Sequence, residues 1–420
     1  MKQTRKLLAY LLCLLCVLSA ASMAAVGADG EIRNVIFMIG DGMGYNHIKL
    51  AEEQGYEILM DDAPDLAGWS RTRSASSSVT DSAAGATALA CGVRTNNGML
   101  GVFPDEAKRA TVQPRIVTEN AMRYGMKTGI VTTDLTTGAT PAGFSVHTLS
   151  RNNTEDIVAQ QLESGIDLIF GKEVSEATQS AVEAAGYRYL TDRAGLEALT
   201  PGVRGYGQFG SSLWKINLSS SKPSLAQMSE KAIELLSAEN QNGFFLMVEG
   251  AHIDKNADDS QDGVVDYPEK KANTAEAVKT FDDAVQVAVN FARTDGHTLV
   301  VITADHETGD LRFDEDAGCM TFHSASHTGA NVPVFVYGAT DLFESGAEID
   351  NRDIVNLIAH KLGWRETFPI EDPARVPEQP TTQPGDSSQT DTGSKFDFLQ
   401  WLRGIFQKIA DFWRRVFKIN

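Results

Sequence analysis

Three predicted strands of this chain end in side chains of the types that bind metal ions. The apolar runs VIFMIG, FFLMV and TLVVITA each lead into an acidic residue, and further metal-ligand types follow nearby. These side chains are Asp41, Glu249, Asp254, Asp305, His306 and His327. A single strand-end aspartate often caps the next helix, but capping does not readily account for three such ends. Carboxylate and imidazole ligands together suit zinc, whereas oxygen-only sets suit magnesium.

A serine at the start of a predicted helix is the candidate nucleophile. Ser82 begins an alanine-rich segment, where free backbone N–H groups and the helix dipole stabilise an anion. The alternative is an ordinary helix N-cap. No G-x-S-x-G pattern surrounds Ser82, so we expect a metal ion to activate its hydroxyl. Arg151 could bind two phosphoryl oxygens through its planar guanidinium, or could form only a surface ion pair.

Alternating strand and helix patterns must position these residues. Strands are predicted over 35–39, 129–133, 168–170, 244–248, 298–303 and 332–337. Helices are predicted over 113–124, 225–237 and 272–292. This alternation predicts an α/β fold, a single large domain with a mostly parallel central sheet flanked by helices on both faces. Ligands of such sheets bind beyond the carboxyl ends of the strands, where the candidate side chains lie.

The composition narrows the range of functions. The 420 residues carry 37 Lys and Arg against 56 Asp and Glu, a net charge of −19. Such acidity disfavours nucleic acid as a partner, because phosphate backbones are repelled. Four cysteines exclude a disulfide scaffold. Outside the N-terminal segment only Cys91 and Cys319 remain. They could form a disulfide, or Cys91 could be a buried free thiol.

The two ends differ in character from the predicted catalytic domain, 29–370. Residues 1–28 resemble a signal peptide, with a basic start, a short apolar run and small residues; an uncleaved membrane anchor is the alternative. Residues 371–395 predict a linker rich in Pro, Thr, Ser and Gln. Residues 396–420 predict a basic amphipathic helix suited to an anionic membrane or envelope surface. Docking on the protein's own body or on a dimer partner is the other reading of this helix.

Six segments of the chain resemble the alkaline phosphatase family. These segments occur in the family's order within residues 32–362: GDGMG, VTDSAAGATALACGVRTNNG, ATPAGFSVHTLSR, VEGAHIDK, TADHETG and SHTG. The resemblance implies an exported, metal-dependent phosphomonoesterase that hydrolyses small phosphate monoesters, and a homodimer. Other functional classes remain open: a superfamily phosphodiesterase or sulfatase, or a non-catalytic phosphate- or surface-binding relative.

The resemblance also implies a role for each matching residue. Ser82 is similar to the nucleophile that forms a phosphoserine, and Arg151 to the arginine that binds phosphate, oriented by Asp81. Two zinc ions and one magnesium ion are implied, and Lys255 matches a lysine that reaches phosphate through water. One zinc would bind Asp41, Asp305 and His306, and the other Asp254 and His327. The magnesium ligands would be Asp41, Thr140 and Glu249.

Two positions depart from the family pattern. Asp258 stands where the family has a zinc-binding histidine; a carboxylate can still bind zinc, and His252 or His323 are other sources of an imidazole. Gly138 stands where relatives carry Asp or His near the magnesium, which would leave that position to water.

Asp258 also begins a second pattern. Residues 258–269 place oxygen-bearing side chains at loop positions 1, 3, 5, 9 and 12 and a glycine at position 6, as in an EF-hand calcium loop. This segment has three alternative interpretations: it binds calcium at 258–269, it supplies Asp258 as a zinc ligand, or it is an acidic surface loop without any ion.

Overall fold

The computed structural model describes residues 31–374, apart from 211, 212, 217, 218 and 220. The predicted signal peptide, all of the predicted linker beyond residue 374 and the predicted basic helix lie outside the described residues. The strands are β1 (Asn34–Gly40), β2 (Leu66–Arg71), β3 (Val112–Pro114), β4 (Lys127–Leu135), β5 (Leu168–Lys172), β6 (Arg188–Leu190), β7 (Gly205–Gln208), β8 (Phe244–Gly250), β9 (Thr298–Thr303), β10 (Glu307–Thr308), β11 (Leu311–Asp314), β12 (Cys319–Phe322), β13 (His327–Thr328), β14 (Val332–Tyr337), β15 (Glu348–Asp350) and β16 (Glu371–Pro373).

The helices lie between these strands. They are α1 (Tyr45–Glu53), α2 (Ser82–Cys91), α3 (Glu106–Arg109), α4 (Val117–Arg123), α5 (Ala139–Gly143), α6 (Thr154–Glu163), α7 (Gln179–Ala184), α8 (Arg193–Glu197), α9 (Leu225–Ser237), α10 (His252–Ala257), α11 (Pro268–Asp295) and α12 (Asn351–Lys361). Among the described residues, no helix combines the length and the apolar character that crossing a bilayer requires.

A ten-stranded sheet organises the described chain, in the order β15-β2-β14-β9-β1-β8-β4-β5-β7-β6. Within it β14 pairs antiparallel with both of its neighbours, and every other neighbouring pair is parallel. The prediction of a mostly parallel α/β sheet is therefore confirmed. All six predicted strands are present.

Helices cover both faces of this sheet. Alternate residues of β1 enter two separate cores: Ile36 and Met38 pack with residues of α1, α9 and α11, whereas Val35 and Phe37 pack with residues of α2, α4 and α12. Because both faces of β1 are buried, its sequence is a continuous apolar run rather than an alternating one. The prediction of helices on both faces is confirmed.

Two predicted boundaries are wrong. The helix predicted over 113–124 is β3 followed by α4, because proline at position 114 disfavours helical backbone in the residue before it. The linker does not begin at 371, because β16 pairs antiparallel with β3. Arg115 secures this pairing through two hydrogen bonds to Asp372, at 2.7 and 2.6 Å.

Both cysteines of the described chain are free thiols. Cys91 is buried at the end of α2, and Cys319 is partly exposed at the start of β12. The alternative of a disulfide between them is therefore not realised, and burial raises the pKa of the Cys91 thiol well above its usual value.

Candidate functional site

The carboxyl ends of β1, β8 and β9 form the floor of the candidate site. These strands are neighbours, and Ile39 of β1 is in register with Glu249 of β8 and Thr303 of β9. Since parallel strands end at one edge of the sheet, residues that directly follow them come together. Asp41 follows β1 and Asp305 follows β9, so residues far apart in sequence meet at this edge.

A tight turn after β1 joins the other elements to this edge. Gly42 has a positive φ of 74°, and a Cβ on it would lie 2.7 Å from Asp254 Cβ and 2.8 Å from Thr308 Oγ1. The turn is also hydrogen bonded: the Gly42 amide donates to Asp305 Oδ1 at 3.2 Å, and the Asp254 amide donates to the Asp41 carbonyl at 2.9 Å. Glycine is required here for both its backbone conformation and its lack of a side chain.

The first candidate metal group consists of Asp41, Asp305 and His306, with Ser82 beside it. The ligand atoms of Asp41, Asp305 and His306 lie within 4.8 Å of one another. His306 Nε2 is 3.5 Å from Asp41 Oδ1, 3.4 Å from Asp305 Oδ2 and 3.3 Å from Ser82 Oγ. Asp41 Oδ1 and Asp305 Oδ2 are buried, and neither has a hydrogen-bond partner among the described residues. Buried carboxylate oxygens without donors fit a bound cation.

The same geometry argues against a serine–histidine–acid triad. In such a triad the acid hydrogen bonds to the ring nitrogen that faces away from the serine. Here the second nitrogen of His306, Nδ1, faces Thr308 Oγ1 at 3.2 Å, and both carboxylates lie on the serine side of the ring. Convergence of three protein ligands and a serine oxygen on one point is typical of zinc coordination.

The second candidate group consists of Asp254, His306 and His327. His327 Nε2 is 3.3 Å from Asp254 Oδ1, and its ring stacks on that of His306 with 3.6 Å between centroids. The other ring nitrogen, Nδ1, lies 3.1 Å from the Thr80 carbonyl. Burial alone would lower the pKa of His327, but the hydrogen bond and the charge of Asp254 raise it to about 9.

The pKa of Asp254 shifts in the opposite direction. Burial would raise its pKa, but the hydrogen bond with His327, the charges of His306 and His327 and the Thr308 hydroxyl lower it well below its usual range. The lowered pKa favours the ionised carboxylate of Asp254, the form that binds a cation.

A third group surrounds Glu249. Burial and the charge of Asp134 raise the pKa of Glu249 to about 8, while the Thr132 and Thr140 hydroxyls oppose this increase. Burial together with the charges of Asp305, Asp254 and Glu249 raises the pKa of Asp41 well above its usual value. Thr140 Oγ1 is buried without a hydrogen bond of normal geometry among the described residues. This oxygen-rich set fits magnesium, because a divalent cation would stabilise the ionised carboxylates.

Ser82 is the first residue of α2, but it is not the residue that caps the helix. Asp81 is the N-cap, and its Oδ1 accepts a hydrogen bond from the Ala84 amide at 3.0 Å. The N-cap alternative for Ser82 is therefore wrong, and its hydroxyl faces His306. The other oxygen of Asp81 accepts from Arg151 Nη1 at 3.3 Å, so Asp81 holds both the helix start and the arginine.

Other predicted residues lie outside these groups. Asp258 is exposed at the end of α10 and belongs to neither candidate group found among the described residues. His252 stacks on Trp214 instead, with 5.3 Å between ring centroids, and His323 is exposed. Lys255 forms an ion pair with Asp134. Neither His252 nor His323 therefore joins Asp254 and His327; the imidazole that lies with them is that of His306, which the two groups share.

The contacts within 258–269 argue against a calcium loop. Asp259 accepts a hydrogen bond from the Tyr267 hydroxyl at 2.5 Å. Asp266 accepts from the Phe322 amide at 2.8 Å with one oxygen and pairs with Lys271 at 3.1 Å with the other. Both oxygens of Asp266, at position 9 of the predicted loop, therefore have protein partners, which disfavours calcium binding there.

Two residues near the site were not predicted from the sequence. Thr308 contacts both Asp254 and His306, and nothing in its local sequence indicates this role. Asp134 follows the apolar stretch GIVTT in β4, so the strand-end signal used for Asp41 and Asp305 would have found it.

The comparisons with known proteins agree on one family. The family model described as alkaline phosphatase matches residues 32–183 and 169–314. Alkaline phosphatase 4 of Bacillus subtilis (strain 168) is 34% identical over 301 residues, which cover 66% of this chain and 62% of the relative. Alkaline phosphatase 3 of the same organism is 32% identical over 345 residues, covering 77% and 71%.

A solved structure is also similar. A variant of the alkaline phosphatase from the Antarctic bacterium TAB5, described with Mg bound in the M3 site, has 27% identity and a TM-score of 0.64, covering 80% of this chain and 99% of that one. This chain therefore spans nearly all of the TAB5 fold but less than two thirds of the first Bacillus relative.

Proposed function

The chain belongs to the alkaline phosphatase family, and we propose that it is a metal-dependent phosphomonoesterase that hydrolyses phosphate monoesters through a phosphoserine at Ser82. The observation that carries this proposal is the position of Ser82 Oγ, 3.3 Å from His306 Nε2 in a buried group of carboxylates. A serine hydroxyl at such a place is well positioned for attack on a phosphoryl group.

Two displacements account for the reaction. In the first, the bond from Ser82 Oγ to phosphorus forms as the bond from phosphorus to the ester oxygen breaks, and the alcohol leaves with a proton. In the second, water attacks phosphorus as the bond from phosphorus to Ser82 Oγ breaks, Oγ takes up a proton, and inorganic phosphate is released. The N-terminus of α2 favours the negative charge of the phosphoryl group beside Ser82.

Arg151 and Asp81 orient the phosphoryl group. The Arg151 guanidinium can bind two phosphoryl oxygens while Asp81 holds it from the other side, at 3.3 Å. Asp81 also caps α2, so one carboxylate fixes the position of the arginine relative to Ser82. This coupling reduces the entropy lost when substrate binds.

The donor sets fit two zinc ions and one magnesium ion. One zinc would be held by Asp41, Asp305 and His306. The other zinc would be held by Asp254 and His327, with Asp258 as a candidate further ligand. The magnesium ion would be held by Asp41, Thr140 and Glu249. When bound, these cations supply positive charge that lowers the pKa of the Ser82 hydroxyl and balances the charge of the transferring phosphoryl group. The partnerless oxygens of Asp41 and Asp305 support this assignment.

Export, surface attachment and dimerisation are proposed on sequence and family grounds. The signal-like segment 1–28 supports an exported protein located outside the cell, in a periplasm or at the cell surface. N-terminal sequencing of the secreted protein would test this, since export with cleavage removes the basic start. Sedimentation of the purified chain would test the homodimer.

The activity test uses a chromogenic phosphate monoester, 4-nitrophenyl phosphate, at alkaline pH. The full chain loaded with zinc and magnesium should hydrolyse it, and chelation with EDTA should abolish hydrolysis. Ser82→Ala should lower kcat/KM by about 1,000-fold or more, because the nucleophile is lost. Parallel assays with a chromogenic diester and a sulfate ester distinguish the other enzyme classes.

Ser229→Ala is the matched control. Ser229 Oγ is also buried, in α9, and has no hydrogen-bond partner among the described residues. Its removal should leave activity unchanged. A metal-loaded wild-type protein that fails to hydrolyse the monoester would refute the proposed function.

A further inference from the structure

The space beside Gly138 is filled by the carboxylate of another residue. A Cβ placed on Gly138 would lie 2.5 Å from Asp134 Oδ2 and 3.0 Å from Asp134 Cγ. A side chain at position 138 and the observed Asp134 conformation therefore exclude one another. Gly138 directly precedes α5, which carries Thr140, so this carboxylate lies at the start of the segment that carries a proposed magnesium ligand.

An irregularity in β4 lies at Asp134. The register of β4 against β5 shifts between Val131 and Leu135, as in a β-bulge, which re-aims the side chains of the bulged strand. The Asp134 amide donates to Thr132 Oγ1 at 2.8 Å, and this hydroxyl in turn donates to Glu249. The backbone amide of Asp134 is thus linked to the Glu249 carboxylate through a single hydroxyl group.

Charge and burial at Asp134 indicate a functional carboxylate. Asp134 is only 8% exposed, so its carboxylate is largely removed from solvent. Lys255 contacts Asp134 Oδ1, while Oδ2 lies on the side of Gly138. A buried carboxylate requires a nearby cation, and the Lys255 ammonium contacts Asp134 through Oδ1, which leaves Oδ2 to face the segment that carries Thr140.

We propose that Asp134 is a third carboxylate of the magnesium site, acting with Asp41 and Glu249 in place of the side chain that position 138 lacks. This inference rests on the proposed function for the identity of the site. Lys255 is then a positioning residue that holds Asp134 from the solvent side. Magnesium keeps several water ligands in proteins, and a carboxylate at Asp134 can accept hydrogen bonds from them.

The test measures magnesium binding rather than activity. The chelator-treated full chain is titrated with MgCl2 by calorimetry, and the Tm is recorded with and without Mg²⁺. Asp134→Asn, which keeps the shape of the side chain, should weaken Mg²⁺ binding about 10-fold or more and reduce the Mg²⁺-induced rise in Tm. Zinc content after reloading should match that of the wild type.

A relocated carboxylate provides the stronger test. The double variant Asp134→Ala, Gly138→Asp returns a carboxylate to the same space from the other backbone position, and should recover most of the Mg²⁺ affinity lost in Asp134→Ala. Asp167→Asn is the matched control. Asp167 accepts a hydrogen bond from the Thr128 amide at 2.8 Å, at the opposite end of β4, so its removal should not alter Mg²⁺ affinity.

The inference would be overturned if Asp134→Asn and Asp134→Ala bound Mg²⁺ as tightly as the wild type does. It would also be overturned if the wild type did not bind Mg²⁺. Failure of the proposed function gives a different result: the wild type would bind Mg²⁺ in a manner that depends on Asp134, yet would not hydrolyse the monoester.

Discussion

Ser82 Oγ lies 3.3 Å from His306 Nε2, although 224 positions separate the two residues. The same nitrogen faces Asp41 and Asp305, and the His306 ring stacks on His327 of the second candidate group. His306 therefore connects the nucleophile to both groups of metal-ligand side chains.

Replacing His306 should impair both groups together. His306→Asn should lower the zinc content of the reloaded protein, measured by elemental analysis, and should lower kcat/KM by about 100-fold or more, because a ligand is lost beside the nucleophile. His360→Asn is the control, because His360 is exposed in the last turn of α12. Wild-type zinc content in His306→Asn would contradict the assignment.

Arg151 should control the affinity for inorganic phosphate. Hydrogen bonds to charged groups contribute about 1.5–3 kcal/mol each, so Arg151→Ala should weaken competitive inhibition by phosphate about 10- to 100-fold. Arg151→Lys should recover only part of this loss, since it keeps the charge but not the planar fork.

Asp81→Asn serves as a graded control for Arg151. Asparagine is as good an N-cap as aspartate, so α2 should remain intact while the charge that holds Arg151 is lost. Its effect on phosphate inhibition should be smaller than that of Arg151→Ala. An unchanged inhibition constant in Arg151→Ala would show that the arginine does not bind phosphate.

Asp258→His should strengthen zinc binding at Asp254 and His327. Asp258 lies four residues after Asp254, and its amide donates to the Asp254 carbonyl at 2.7 Å, so both side chains start from one helical turn. An imidazole at this position adds a nitrogen ligand that zinc binds well. The measurement is the rate of zinc loss to a chelator, which should fall.

Asp316→His is the control for this substitution, because Asp316 lies in an exposed turn between β11 and β12. It should lose zinc at the wild-type rate. Equal rates for Asp258→His and the wild type would place Asp258 outside the zinc site.

The pairing of β16 with β3 should depend on pH through Asp372. Hydrogen bonds from Arg115 lower the pKa of Asp372 below its usual value near 3.8, although partial burial opposes this. A lowered pKa means that the stabilisation is present above the usual value and is lost as pH falls through the lowered one. Asp372→Asn should therefore reduce the free energy of unfolding of the metal-free protein at neutral pH by about 1.5–3 kcal/mol.

The difference between Asp372→Asn and the wild type should shrink as the pH falls below about 4, because the unfolded chain then binds a proton at Asp372, and it should vanish once the native carboxylate is protonated as well. Glu371→Gln is the neighbouring control: its pair with Lys108 is exposed, and such pairs contribute only about 0–1 kcal/mol. A pH-independent difference between Asp372→Asn and the wild type would exclude the proposed ionic contribution.

The segment 396–420 should mediate binding to anionic vesicles. Its five basic side chains outnumber two acidic ones, and its apolar residues recur at helical spacing. Deleting it should abolish co-sedimentation with vesicles that contain anionic lipid, while kcat/KM on a soluble monoester stays unchanged. A full-length chain ending in a scrambled 396–420 sequence is the control, because it keeps the charge but loses the apolar face. Undiminished vesicle binding by the truncated chain would refute the membrane role.

Local sequence was sufficient to predict the main strands and the positions of most candidate ligands. Apolar runs such as those before Asp41 and Asp305 identify buried parallel strands, and the ends of such strands meet at one edge whatever the details of packing. The segment around Ser82 was similarly informative, because the family motif there is long and specific. These features depend on residues close together in the chain.

Tertiary structure alone decided how the side chains are shared. Three features depend on contacts between separate elements: His306 lies between two groups, Asp81 both caps α2 and holds Arg151, and Asp134 fills the space beside Gly138. The register of β4 against β5 shifts at Asp134, and the packing of β16 on β3 extends the fold past residue 370. Register, bulges and strand pairing are set by the burial of many distant residues at once, so no local pattern contains them.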